Sequence, residues 1–225
     1  MAPTLYLIIT SVLFILLICT AVMFYKSPSW ALAMFLPIMT WLIFDPLVLS
    51  LGNMLGEGGL LYALTVLRYL LRVVIAPFLL IVALDQLRRA GYKPLEHPLV
   101  TILTGLITIL LVFYGIVTVK SSWEIGLEAT IIEGIKRYKE NEPLGLPITT
   151  ILTYALVSLA GLLIFLKTRI YWLLLGALLI LAATIIPETI IQSSVLTATS
   201  IALALGFLIT EKKLQKISPN PLARK

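Results

Sequence analysis

The length, composition and charge of the chain exclude a water-soluble globular protein. Of its 225 residues, 60% are hydrophobic and 12% are charged, whereas soluble domains are about 45–50% apolar and about 25% charged. A soluble fold of this size cannot hide so much apolar surface, because a large share of its residues must face water. The net charge of +6 comes from basic residues at the ends of apolar runs, which indicates membrane lipids, and not nucleic acid, as partners.

Seven apolar runs predict an all-α polytopic membrane protein with about seven transmembrane helices. A membrane-spanning helix needs about 20 predominantly apolar residues. The runs lie near 4–25, 29–51, 60–84, 98–118, 148–166, 170–187 and 193–210. They predict a single membrane domain over 1–210, followed by a basic tail over 211–225 that its prolines make extended or disordered.

The basic residues between the spans predict the orientation of the bundle. Most of them fall on the side of the C-terminus, and only Lys120, Lys136, Arg137 and Lys139 fall on the other side. Because cytoplasmic loops carry an excess of Lys and Arg, we expect an outside N-terminus and a cytoplasmic tail, in a cell membrane. This arrangement requires an odd number of spans, which favours seven over six or eight.

One long connection, 119–147, separates the fourth and fifth predicted spans. Apolar residues recur in it at helical spacing, opposite a charged face. The apolar positions are Trp123, Leu127, Ile131, Ile135 and Tyr138, and the charged ones are Glu133, Lys136, Arg137 and Glu140. This pattern predicts an amphipathic helix on the outer membrane surface, which covers the outer mouth of the bundle.

Three ionisable residues lie well inside predicted spans: Asp45 in the second, and Arg68 and Arg72 in the third. Each such charge costs about 2.5–3.5 kcal/mol on membrane-insertion scales, so it normally faces a partner or a polar interior. The two arginines are four residues apart and share one helix face. Because the two helices are antiparallel, Asp45 and Arg68 are expected at similar depth, and an Asp45–Arg68 ion pair is the leading predicted contact.

Arg72 then lies deeper in the membrane without an acidic partner inside a span. Pro46 and Pro77 each remove a helical hydrogen bond, which frees the carbonyls of Leu42 and Val73 and kinks both helices. Those carbonyls, water or an anionic ligand are the acceptors expected for Arg72. Its planar guanidinium suits bidentate binding of a carboxylate or phosphate.

The turn between these two spans, 52–59, is rich in glycine and contains Asn53 and Glu57. Glycines allow backbone N–H groups to approach a ligand closely. The sequence therefore predicts a polar cluster between the second and third helices, made of Asp45, Asn53, Glu57, Arg68 and Arg72. An equally simple alternative is that the buried charges only lock the two helices together.

The cluster is compatible with three classes of function. The first is a non-enzymatic protein that binds or passes a small solute, for which an anion is one option. The second is an accessory or assembly subunit, with other membrane subunits as partners, and the third is an enzyme that modifies lipids or isoprenoids. No catalytic residue is predicted, because His, Cys and buried carboxylates for acid–base work are scarce. The single Cys19 and single His97 form no metal-site pattern, and no cofactor is indicated.

Overall fold

A computed structural model describes residues 2–140, 147–186 and 192–217. Nearly all of them are helical, which confirms the predicted all-α bundle. The helices are α1 (Ala2–Lys26), α2 (Trp30–Leu55), α3 (Gly59–Ile75), α4 (Leu79–Arg89), α5 (Pro98–Ile125), α6 (Ile148–Thr168), α7 (Trp172–Ile185) and α8 (Gln192–Ile217). Short 3₁₀ turns over Ala76–Phe78 and Lys93–Glu96 precede α4 and α5.

Six helical segments of the described chain are long and apolar enough to cross a membrane, as expected of a multi-pass membrane protein. Helices α3 and α4 form one of them, Gly59–Arg89. The sixth predicted span, 170–187, is present as α7, but this apolar helix has only 14 residues. It is about 21 Å long, shorter than the roughly 30 Å hydrocarbon core. The direction in which the bundle crosses the membrane stays a prediction.

The predicted interruption at Pro77 is confirmed. Pro77 lies in the 3₁₀ turn between α3 and α4, because a proline without an N–H cannot continue the helical hydrogen-bond ladder. The predicted kink at Pro46 stays a prediction, since α2 continues through both Pro37 and Pro46.

Helix α2 lies at the centre of the bundle, in contact with α1, α3, α4 and α8. Phe35 of α2 stacks on Phe207 of α8, with ring centroids 3.8 Å apart. Glycines bring neighbouring backbones together, since a Cβ on Gly176 of α7 would lie 2.5 Å from the carbonyl oxygen of Ala202. Such close approach at small residues is typical of helix packing in membranes.

The predicted amphipathic helix over 119–147 is wrong. Helix α5 continues to Ile125, and an antiparallel hairpin follows, with strands β1 (Leu127–Ile132) and β2 (Ile135–Glu140). Its two turn residues, Glu133 and Gly134, have φ angles of 56° and 74°, as a type I′ hairpin turn requires. Residues 141–146 lie outside the described residues.

The error has a simple geometric cause. A spacing of four residues keeps side chains on one face of a helix, but four is also an even number. Leu127 and Ile131 therefore also lie on one face of β1, where side chains repeat every two residues, whereas Ile135 and Tyr138 lie on opposite faces of β2. The Glu133-Gly134 turn and the β-branched residues before it favour the hairpin.

The bundle has two ends, named the hairpin end and the tail end. The hairpin end carries the start of α1, the α2–α3 turn, the hairpin and the start of α8. The tail end carries the α1–α2 turn, the 3₁₀ turn before α5 and the end of α8. Helix α8 continues seven residues beyond the predicted boundary at 210, to Ile217, and the predicted extended tail beyond it lies outside the described residues.

Candidate functional site

Asp45 of α2 is shared by two arginines of α3. The Nη2 atom of Arg72 donates a hydrogen bond to Oδ1 of Asp45 over 2.9 Å. The Nε atom of Arg68 lies 3.8 Å from the same oxygen, which is an ion pair but too long for a hydrogen bond. The predicted contact between Asp45 and Arg68 is thus present, but the expectation that Arg72 lacks an acidic partner is wrong. Within the described chain, Arg72 bonds Asp45 and not the carbonyls of Leu42 or Val73.

Side-chain direction explains why the deeper arginine is the closer partner. Helical side chains point toward the N-terminus of their own helix. Because α2 and α3 are antiparallel, Asp45 points toward the tail end and Arg72 points toward the hairpin end. Their atoms therefore converge, although Arg72 begins one turn below Arg68, whereas the side chain of Arg68 leads away from the carboxylate.

Arg137 of β2 adds a third guanidinium to this cluster. It is buried, and its Nη1 atom donates to the Ser193 hydroxyl of α8 over 2.7 Å. Burial, and then the like charge of Arg68, lower the pKa of Arg137, although an arginine remains protonated at physiological pH. Its charge also interacts with Asp45. The hairpin thus brings the charge of Arg137 close to those of Arg68 and Asp45.

Several N–H donors of this region are buried without an acceptor in the described part of the protein. They are Nε of Arg68, Nε of Arg137 and Nε1 of Trp41. Trp41 precedes Asp45 by four residues and so lies one turn away on the same face of α2. A buried donor left unbonded costs about 1–3 kcal/mol, so the region favours an additional acceptor.

The charges in this region are also unbalanced. Three positively charged guanidiniums face only two carboxylates, those of Asp45 and Glu133. Glu133 already accepts hydrogen bonds from two hydroxyl groups. Tyr6 donates to its Oε2 over 2.6 Å and Ser194 donates to its Oε1 over 2.7 Å. The arginine cluster, defined as Arg68, Arg72 and Arg137 with Asp45, therefore carries excess positive charge among the described residues.

Aromatic side chains surround the cluster. The ring of Tyr69 lies 5.1 Å from the guanidinium carbon of Arg68, within the range of a cation–π contact. Tyr154 of α6 is buried and interacts electrostatically with both Arg72 and Asp45. A quarter of the Arg72 side chain is exposed, against 7% for Arg68. The side chain of Arg72 is therefore more accessible than that of Arg68.

The other two predicted site residues contact the hairpin instead of the arginines. Asn53 donates from Nδ2 to the carbonyl of Gly134 and accepts the N–H of Lys136 at Oδ1, both over 2.8 Å. Glu57 lies 3.4 Å from Nζ of Lys136. These contacts fasten the hairpin to the α2–α3 turn. The five predicted residues thus form two adjacent groups, and only Asp45, Arg68 and Arg72 meet.

Close backbone approach completes this attachment. A Cβ on Gly52 would lie only 2.2 Å from the carbonyl oxygen of Lys136, so the hairpin rests directly on α2. Ile135 is buried with Tyr6 and Leu49 in a small apolar cluster. Gly52 of the glycine-rich turn therefore serves close packing of the hairpin on α2.

The predicted surface helix carried Arg137 on its charged face, so the sequence did not predict that Arg137 joins the arginine cluster. The signal was present in the alternation of β2, where Ile135 and Arg137 share one strand face and both are buried. Interpreting 127–140 as a hairpin would have placed Arg137 toward the bundle.

A second buried ionic group at the tail end was also missed. Arg89 of α4 binds both carboxylate oxygens of Glu211 in α8, with Nη1 2.7 Å from Oε1. Ser29 and Gln86 donate to the same carboxylate over 2.9 and 3.1 Å, and Asp85 lies 3.1 Å from Arg89. Glu211 is fully buried, although the sequence pattern assigned it to the predicted C-terminal tail over 211–225. The bidentate guanidinium and the two neutral donors satisfy this carboxylate, as a structural tie between helices requires.

No protein-family model matches the chain, and no curated protein matches it either.

Proposed function

We propose that this multi-pass membrane protein binds an anion, a phosphate or a carboxylate group, at the arginine cluster. The observation that carries the proposal is the surplus of buried donors: Arg68 and Arg137 each keep an unbonded Nε. Two guanidiniums pair with Asp45, and the charge of Arg137 adds to theirs. An oxyanion supplies the acceptor oxygens and the negative charge that this cluster lacks.

The exposed quarter of Arg72 supports access to the cluster from outside the bundle. An anion that contacts Arg72 supplies acceptor oxygens in addition to the carboxylate of Asp45. Its oxygens are also suited to the fork of donors that each guanidinium presents. The tyrosines around the cluster exclude water, which strengthens each ionic contact.

A binding site fits the cluster better than a catalytic centre. Arginine stays protonated at physiological pH and so does not exchange protons during a reaction. Anion binding therefore remains the first function, ahead of a subunit role or a lipid-modifying activity.

The experiment measures thermal unfolding of the purified full chain in an uncharged detergent. Inorganic phosphate, acetate and a short-chain phosphatidate are titrated in turn against chloride at equal ionic strength. A ligand that binds only the folded state raises the melting temperature with concentration. We expect such a rise for at least one oxyanion, and the phosphate and phosphatidate titrations distinguish a free anion from a lipid headgroup.

Paired variants separate binding from structural support. Arg137→Gln should weaken the oxyanion effect about tenfold, whereas Lys136→Gln removes a charge from the opposite face of β2 and should leave it unchanged. Asp45→Asn should strengthen oxyanion binding, because it removes the competing carboxylate. A purely structural cluster predicts no oxyanion effect in any variant, and that result would overturn the proposal.

A further inference from the structure

A groove of 370 Å³ opens at the tail end between α2, α4 and α5. Its walls include the apolar side chains of Met34, Ile81 and Leu84. At Gly105 of α5, no heavy atom lies within 4 Å of the position a Cβ would take. The missing side chain therefore contributes directly to the open space. The volume is within the range of about 300–1,000 Å³ typical of small-molecule sites.

One end of this tail-end groove is cationic. Arg88 lines it, donates from Nε to the carbonyl of Leu95 over 2.7 Å and donates from Nη2 to the Thr101 hydroxyl. No carboxylate among the described residues lies within 4 Å of its guanidinium. Asp85 also lines the groove, but its carboxylate lies 3.1 Å from Arg89. Arg88 thus retains donor capacity for an anionic group.

The groove also lies where a bilayer lipid reaches it. Trp30 at the start of α2 lines the groove and is 61% exposed, and tryptophan is enriched at the membrane–water interface. Helix α5 forms the other wall, and only 17% of the residues in its apolar membrane-spanning stretch are buried. The apolar walls therefore continue into the lipid-facing surface of α5.

We propose that the tail-end groove binds one anionic phospholipid, with its phosphate on Arg88 and part of an acyl chain beside Gly105. The two halves of the groove decide this occupant. A free anion leaves the apolar walls uncovered, whereas an acyl chain packs against them by van der Waals contact. A neutral apolar molecule supplies no negative charge to Arg88, whose acceptors among the described residues are the uncharged Leu95 carbonyl and Thr101 hydroxyl. This site lies at the opposite end of the bundle from the arginine cluster and does not depend on it.

The test measures quenching of Trp30 fluorescence by lipids with brominated acyl chains. The full chain is reconstituted in nanodiscs of phosphatidylcholine that contain increasing fractions of brominated phosphatidylglycerol. Subtracting the signal of Trp30→Phe removes the contribution of the other tryptophans. We expect saturation of Trp30 quenching at a low fraction of the anionic lipid, and no such saturation with brominated phosphatidylcholine.

Two variants examine the two halves of the groove. Arg88→Gln should raise the half-saturating fraction of anionic lipid about tenfold, whereas Arg169→Gln, an exposed arginine at the same end of the bundle, should not change it. Gly105→Leu fills the open space and should abolish the saturable quenching. Gly59→Leu is its matched control, because it also adds a side chain to open space, at the hairpin end.

Equal quenching by the two lipids in the unmodified chain would show only the bulk lipid around the bundle and would overturn the proposal. Saturable quenching that survives Gly105→Leu would also overturn it, because the acyl chain would then lie outside the groove.

Discussion

The Nη2 atom of Arg72 lies 2.9 Å from Oδ1 of Asp45, although Arg68 is the arginine expected at the depth of Asp45. Arg68 contributes a weaker ion pair to the same oxygen, at 3.8 Å. The order of these two distances follows from the opposite directions in which side chains point on antiparallel helices. We expect the interaction energies of the two ion pairs to follow the order of these distances.

Double-mutant cycles should therefore rank the two pairs. Asp45→Asn combined with Arg72→Gln should give a coupling energy of about 1–3 kcal/mol, and the cycle with Arg68→Gln should give a smaller one. The free energies of unfolding are measured in detergent micelles by titration with a denaturing detergent. Equal couplings, or a larger one for Arg68, would contradict the geometry.

Loss of the buried carboxylate at the tail end should destabilise the protein strongly. Glu211→Gln leaves the guanidinium of Arg89 without its bidentate partner, and breaking such a buried pair costs about 3–5 kcal/mol. The same unfolding titration measures this loss. Glu96→Gln, an exposed acid at the same end, should stay within about 0.5 kcal/mol of the unmodified protein. A similarly small effect of Glu211→Gln would show that Glu211 is solvated.

Attachment of the hairpin should depend on the absence of a side chain at position 52. In Gly52→Ala, the new methyl group meets the carbonyl of Lys136, and relieving such overlap costs about 1–3 kcal/mol. The measurement is hydrogen exchange of the Lys136 amide, which bonds Asn53 and should exchange faster. Gly58→Ala adds a methyl group to open space and should leave exchange unchanged, whereas equal exchange in both variants would exclude the close contact.

Two glycines in spanning helices should respond in opposite directions to alanine. A Cβ on Gly206 of α8 would lie 2.4 Å from the carbonyl oxygen of Trp172, so Gly206→Ala should lower the melting temperature. Gly105 has open space beside it, so Gly105→Ala should raise stability by up to about 1 kcal/mol through helix propensity. Thermal unfolding in detergent measures both. A stabilising Gly206→Ala would show that α7 and α8 are not in backbone contact.

Part of the candidate site was visible in the sequence because charges in apolar runs are energetically costly. Asp45, Arg68 and Arg72 stand out for that reason alone, and the structure brings them together. Arg137 and Glu211 did not stand out, since each lies outside the predicted apolar runs. Arg137 reaches the cluster only because the hairpin folds back over α2, and Glu211 is buried only because α8 continues past the expected boundary.

The sequence by itself determined the class of the protein and the positions of its membrane helices, because hydropathy acts over about 20 consecutive residues and needs no information about neighbours. Tertiary structure alone decided the partner of Asp45, the hairpin in place of a surface helix and the burial of Glu211. Each of these depends on atoms far apart in the chain. A spacing of four residues fits a helix or a strand equally, and a side chain meets its partner only when the helices are packed.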